Sequence, residues 1–440
     1  MQPSLLIQNA FVVTPKGTVS ADVWVENGVI QGVGLGLKTP GAEVIDARGL
    51  HLIPGAIDPQ VHFRDPGMEW KEDLATGSRA AAAGGITGFL EMSNTTPATT
   101  TIALMDAKKA IAAAKSLINY NFFIGGTPEN LPDINTAKNV CGIKIFMGAS
   151  TGSLLVDKLE DLERIFATGR RLIAVHAEDE TLIKENKVRY PNTTKVSDHN
   201  LIRSPEVAIK ATRNAMELSR KYNRRLHILH MTTQEEAEYM TKEKSGLPVS
   251  CEVCPQHFLL TAPECYDQLG TYAQMNPPIR ERRHGEALWK ALKAGFIDCI
   301  ATDHAPHTRE EKGYPLSPSG MPGVETSLPL LLNRVNQGLC TLNEVVRWMC
   351  ENPARLYGIQ KKGRIEVGYD ADLVLVDMAR EKTIENGKLQ TKVNWSPYHG
   401  WKTKGWPIMT MVNGNMVFRE GEFFTSILGK EMLIDAPWEK

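Results

Sequence analysis

From Leu52 to about Gly358, short apolar runs alternate eight times with longer amphipathic stretches. The runs are Leu52–Val61, Ile86–Met92, Ile118–Ile124, Gly142–Met147, Leu172–His176, Leu226–His230, Val249–Cys254 and Ile297–Thr302. Between them lie helical segments such as Glu72–Ala83, stopped by Gly84-Gly85, and Pro205–Tyr222, with proline at a favourable first helical position. Eight strand–helix units over roughly 300 residues fit a (β/α)₈ barrel, which takes about 250 residues before insertions. A doubly wound open sheet competes, but no glycine-rich dinucleotide fingerprint follows an early strand. Outside this region the texture is all strand. Residues 5–53 read as short strands with an Asn27-Gly28 hairpin signal, and strands return at Ala371–Asp377, Met409–Val412 and Asn415–Arg419. The expected organisation is α/β: a barrel over 54–358, flanked by one β-domain built from residues 1–53 and 359–440.

Composition narrows the function. With 42% hydrophobic residues in 440 there is enough apolar material for a large core. Fifty basic against 51 acidic residues leave a formal charge of −1, which favours neither nucleic acid nor an anionic membrane and leaves a small molecule as the expected partner. No window approaches the ~18 apolar residues of a membrane span, and the first residues lack a signal peptide's pattern, so a cytoplasmic location is expected. Seven cysteines without framework spacing suit reduced thiols. Cys251-Glu252-Val253-Cys254 is a lone CxxC and reads as buried thiols on a strand.

Barrel enzymes draw their reactive groups from the C-terminal ends of the strands. Here those ends carry His62 on the first, Lys144 on the fourth, His176 on the fifth, His230 on the sixth and Asp303 after the eighth. In Pro59-Gln60-Val61-His62-Phe63-Arg64, period 2 puts Gln60, His62 and Arg64 on one face. A single strand-end histidine is ordinary; the set is not. His51, His199, His284 and His399 read as surface or core residues, and His227, on the face opposite His230, as structural. Lys144 lies in the apolar run Cys141–Gly148, where an ammonium is expensive to bury. Either a salt bridge relieves the cost, or the amine is neutral and adds carbon dioxide to become a carbamate, a bidentate anion able to bridge metal ions beside His176 and His230.

Six separated motifs then fall in a familiar order: His-x-Arg-x-Pro-Gly on strand one, Lys144 in KIFMG, Val175-His176-Ala177-Glu178, Leu229-His230, Asn276-Pro277-Pro278-Ile279-Arg280, and Thr302-Asp303-His304-Ala305-Pro306-His307. From about residue 5 to the Ala371–Val376 strand the chain resembles the dihydroorotases of the amidohydrolase superfamily. The resemblance implies a barrel with a flanking β-domain, zinc bridged by carboxylated Lys144, and reversible hydrolysis of L-dihydroorotate to N-carbamoyl-L-aspartate in pyrimidine synthesis. It assigns His62, Lys144, His176, His230 and Asp303 to metal, and Asp303 also to proton transfer. Arg64, Asn94 and His307 would clamp the substrate carboxylate, while Asn276 and backbone near Gly320 would meet the ring's other polar edge. Turn formation by the asparagines and a glycine loop is the plainer reading of Asn94, Asn276 and Gly320. The family resemblance allows a homodimer, and nothing in the apolar patterning specifies one.

One position departs from the family. Where it has His-x-His on strand one, this chain has Gln60, a weaker zinc ligand, so one of the two metal positions keeps only His62, Lys144 and Asp303. Two other readings follow: a weakly active or inactive relative serving as a structural partner of aspartate transcarbamoylase, resting on Gln60 alone, and another cyclic-amide hydrolase such as an allantoinase or dihydropyrimidinase. Arg64 with His307 argues against the latter, whose substrates lack the carboxylate. The charged, Pro- and Gly-rich segment Thr308–Gly323 reads as a lid or a long surface loop.

Overall fold

A computed structural model describes residues 4–149, 154–191, 195–313 and 317–435. Two sheets organise the chain. The first holds β1 (Leu5–Thr14), β2 (Gly17–Glu26), β3 (Val29–Gly34), β4 (Glu43–Asp46) and β5 (His51–Pro54) from the N-terminal part. The second is the eight-stranded sheet β6 (Ala56–Val61), β7 (Ile86–Glu91), β8 (Asn119–Gly125), β9 (Gly142–Phe146), β10 (Ile173–His176), β11 (Leu226–Ile228), β12 (Val249–Val253) and β13 (Cys299–Ile300). The chain then returns to the first sheet with β14 (Leu373–Thr383), β15 (Lys402–Val412), β16 (Asn415–Arg419) and β17 (Glu422–Phe423).

In the second sheet every strand runs parallel to its sequence neighbours, β6 to β13 in order. A bridge from Val61 to His304 and a bond from the His62 amide to the His304 carbonyl join the last strand's end to the first. The ring is therefore closed, as the eightfold alternation implies. The helix expected over Glu72–Ala83 begins at Leu74, because the Asp73 carboxylate caps the Thr76 amide while Thr76 Oγ1 accepts from the Asp73 amide. Pro205–Tyr222 is helical throughout and ends at Asn223 in the left-handed conformation.

The structure corrects one strand. Leu52–Val61 is two strands, not one: β5 pairs with β1 and β14, and β6 opens the barrel. The break is at Gly55, where a Cβ would fall 2.0 Å from Thr87 Oγ1, so only glycine lets the chain cross β7 this closely. The terminal strands then form a sheet of order β17-β16-β15-β14-β5-β1-β2-β3, with β4 beside β1, uniting both ends of the chain. Buried contacts fasten it to the barrel: Asn119 Nδ2 donates to Asp372 Oδ2 (2.9 Å), and Lys362 Nζ donates to the same oxygen (2.6 Å). All seven cysteines are buried free thiols, Cys251 and Cys254 among them. No described helix is long and apolar enough to cross a membrane.

Candidate active site

Strand period and barrel geometry bring the distant side chains together. Gln60, His62, Lys144, His176, His230, Asn276, Asp303 and Gly320 line one cavity at the C-terminal ends of the strands, with Phe146, Ala305 and Ser319 completing the wall. Its volume is ≈ 20 Å³, room for about one water or ion. Larger clefts lie elsewhere; one of ≈ 370 Å³ beside Asn27 and Lys361 also touches Lys362, which is already ion-paired with Asp370 and Asp372. Three candidate residues, Arg64 (φ +64°), His230 (φ +37°) and Asp303 (φ +48°), sit in left-handed backbone. That costs on the order of 1–3 kcal/mol each and clusters where function over-determines the conformation.

On one side of the cavity, His176 Nδ1 and His230 Nε2 converge to 3.0 Å with their rings crossed at 76°. The outer nitrogen of His176 is held 2.8 Å from Glu178 Oε2, and Glu178 is in turn bound by Arg203. Burial opposes charge on Glu178, but Arg203 and His176 hold its carboxyl down at about 2, so it remains an anion that orients the imidazole. Lys144 reaches in from mid-β9 and is 1% exposed; its Nζ lies 4.4 Å from the centroid of the Phe146 ring and has no hydrogen-bond partner. Burial pulls it down to about 7, with Asp303 and Glu252 pulling the other way. Among the described residues no salt bridge relieves a fixed ammonium, and much of the amine is neutral near pH 7.

Across the cavity, His62 Nε2 faces Asp303 Oδ1 at 3.0 Å while His62 Nδ1 lies 2.8 Å from Asn94 Oδ1. An amide oxygen only accepts, so Nδ1 carries the hydrogen and the Nε2 lone pair points at a carboxylate. Burial also keeps this imidazole below its ordinary pKa. Two acceptors at that distance call for a cation or a proton between them. Together with the convergent His176–His230 pair and the partnerless Lys144 nitrogen, this donor set fits a divalent metal ion of the zinc type. Gln60 contributes less: its Nε2 donates to Asp303 Oδ1 (3.0 Å), and its Oε1 is buried without a partner.

Strand alternation does not by itself fix the direction of Arg64, which lies beyond the end of β6. β6 ends at Val61, and the left-handed turn at Arg64 sends the guanidinium to the Pro306 carbonyl (3.3 Å) and to His307 Nε2 (3.2 Å). This pair lies against the cavity wall, since a Cβ on Gly320 would be 3.1 Å from His307 Cδ2 and 2.5 Å from the Ala305 carbonyl oxygen. Gly320 thus serves by lacking a side chain; its N–H already donates to Gln274 and its carbonyl accepts from Lys312. Asn94 spends its oxygen on His62, and Asn276 Oδ1 is met by His199 Nε2 at 2.8 Å. Of the segment 308–323, Ser319 and Gly320 line the cavity, and residues 314–316 lie outside the described residues.

Some participants had little signal in the sequence. Glu178 lies in the Val175–Glu178 motif, two residues beyond His176, a spacing that suggests a shared face. Lys71 and Arg203 sit in charged loops with no periodicity to single them out, and His199 looked like an ordinary loop histidine. His227 is bonded to Ser250 and Glu252 in the barrel interior, where Cys299 also comes within reach.

Comparison with known proteins gives the family. The amidohydrolase family model matches residues 51–417. The chain is 34% identical over 435 residues to a dihydroorotase of Methanosarcina mazei, covering 95% of each, and 37% identical over 437 residues to a dihydroorotase of a Geobacter species, covering 95% of this chain and all of that one. Among solved structures it is similar to an L-hydantoinase (dihydropyrimidinase) from Arthrobacter aurescens, with a TM-score of 0.93, 29% identity, and coverage of 98% and 100%. A dihydropyrimidinase from Brevibacillus agri gives 0.90 and 27% identity, with coverage of 99% and 100%.

Proposed function

Because the chain belongs to the amidohydrolase family, we propose that it is a metal-dependent hydrolase that opens and re-forms the cyclic amide of L-dihydroorotate, interconverting it with N-carbamoyl-L-aspartate. The observation that carries the reading is the Arg64–His307 pair set against a cavity into which Lys144, His176, His230, His62 and Asp303 all project. Shape similarity to hydantoinases supports the alternative of a hydantoin or dihydropyrimidine substrate. Fold leaves substrate open, however, and a buried guanidinium paired with a histidine suits a substrate carrying a carboxylate beside its ring nitrogen.

Lys144 as a carbamate, His176 and His230 would hold a zinc ion, with His62 and Asp303 beside them. The carbamate forms when the neutral amine adds carbon dioxide and releases a proton. A second ion would lack one imidazole because of Gln60. When bound, a divalent ion lowers the pKa of water toward neutrality and polarises a carbonyl. Asp303 takes the proton from the attacking water and delivers it to the amide nitrogen as the ring C–N bond breaks. In the ring-closing direction the same carboxylate removes the ureido proton. Arg64 and His307 hold the substrate carboxylate, and Asn276, fixed by His199, meets the ring's opposite edge.

Metal analysis together with assays on carbamoyl aspartate, dihydroorotate, hydantoin, allantoin and dihydrouracil tests the reading. Turnover confined to hydantoin or dihydrouracil would replace it with the alternative. A protein that binds metal but turns over none of these would favour a scaffold role, such as partnership with aspartate transcarbamoylase. Arg64→Ala should lower kcat/KM for dihydroorotate by the equivalent of about 2–4 kcal/mol. Unchanged kinetics would remove the carboxylate clamp.

A further inference from the structure

His307 is surrounded by more donors than its ring can accept from. Arg64 Nη2 lies 3.2 Å from Nε2, and Lys71 Nζ lies 3.1 Å from Nδ1. Guanidinium and ammonium groups carry donors only, whereas a neutral imidazole has one lone pair and one N–H. Burial, then Arg64 and Lys71, keep His307 far below its ordinary pKa, so the ring is neutral. Burial also lowers Lys71, but the Glu311 carboxylate 2.9 Å away holds the ammonium form. Only one of the two contacts can therefore be a hydrogen bond.

The Ser319 carbonyl decides which. It lies 3.2 Å from His307 Nε2 and can only accept. Nε2 therefore carries the hydrogen, Nδ1 accepts from Lys71, and Arg64 Nη2 is left facing an N–H. The Nε2–H has the Ser319 carbonyl as acceptor, whereas Arg64 Nη2 has none at this contact, and an anionic oxygen placed beside both can take the Arg64 donor and share the Nε2–H with Ser319.

We propose that Lys71 is a positioning residue for substrate recognition: by occupying Nδ1 it fixes His307 as the Nε2–H tautomer, so that His307 and Arg64 both present N–H donors to the substrate carboxylate. The proposal rests on the dihydroorotate reading. Without Lys71 only the Ser319 carbonyl favours the Nε2–H tautomer, and the ring can instead accept from Arg64 at Nε2. The pair would then satisfy itself, and the carboxylate would lose a donor.

The test uses the full chain loaded with zinc and bicarbonate, comparing wild type, Lys71→Met and Lys71→Arg. Nitrogen-15 histidine spectra, with His307 assigned by difference from His307→Asn, report the tautomer independently of turnover. Expected are an Nε2–H signature in wild type, a shift toward Nδ1–H in Lys71→Met, a rise in KM for dihydroorotate of about tenfold or more with kcat changed far less, and substantial recovery in Lys71→Arg. An active wild type with an Nδ1–H signature, or a Lys71→Met protein with wild-type KM, overturns this inference alone. A wild type that opens hydantoin but not dihydroorotate overturns the substrate reading and this inference with it.

Discussion

At the scale of single residues, two polar atoms of the site, Lys144 Nζ and Gln60 Oε1, are buried without a hydrogen-bond partner among the described residues. Lys144 is the clearest case, buried in an apolar strand without a hydrogen bond and brought to about 7 by burial. Below that pH the ammonium has no lone pair for carbon dioxide; above it the free amine does. Metal-free protein given zinc at constant dissolved carbon dioxide should therefore reactivate roughly tenfold faster at pH 8 than at pH 6, as the neutral fraction rises from about one eleventh to about ten elevenths. Equal rates at the two pH values would argue against a carbamate. Gln60 makes the opposite test. It donates to Asp303 and leaves its oxygen unpartnered, so Gln60→His should raise the metal content measured by elemental analysis. An unchanged stoichiometry would mean that something other than the missing imidazole limits loading.

At the scale of elements, the strand ends carry the candidate groups, and Ser319 and Gly320 after β13 form part of the cavity wall. Gly320 combines a φ of +142° with no room for a Cβ against Ala305 and His307. Gly320→Ala should cost about 1–3 kcal/mol through backbone strain and should push His307 out of register with Arg64. The expected result is a higher KM for dihydroorotate and a lower melting temperature, read by kinetics and calorimetry on the same preparation. The cavity of ≈ 20 Å³ is much smaller than a substituted six-membered ring, and Ser319 and Gly320 form part of its wall.

At the scale of the whole molecule, the terminal sheet and the barrel meet through buried polar groups rather than apolar packing alone. Lys362, 8% exposed, donates to Asp370, Asp372 and Asn413, and Asp372 also accepts from Asn119 of β8. Lys362→Met would leave Asp372 buried without its main counter-charge. Breaking such a pair costs on the order of 3–5 kcal/mol. We expect a lower unfolding midpoint with kcat/KM unchanged well below it; lost activity at unchanged stability would mean the terminal sheet acts on the site directly.

The sequence alone determined the barrel, because strand and helix periods are local properties of side-chain spacing, and it determined the group of His62, Lys144, His176, His230 and Asp303, because parallel strands of a closed barrel must end on one face. It could not place Gly55 as the break between two sheets, since only the approach of Thr87 makes a side chain intolerable there. Nor could it turn Arg64 toward His307, give Asn94 to His62, or bring Lys71 and Glu178 into the hydrogen-bond network. Those assignments depend on distances between segments far apart in the chain, and packing alone sets such distances.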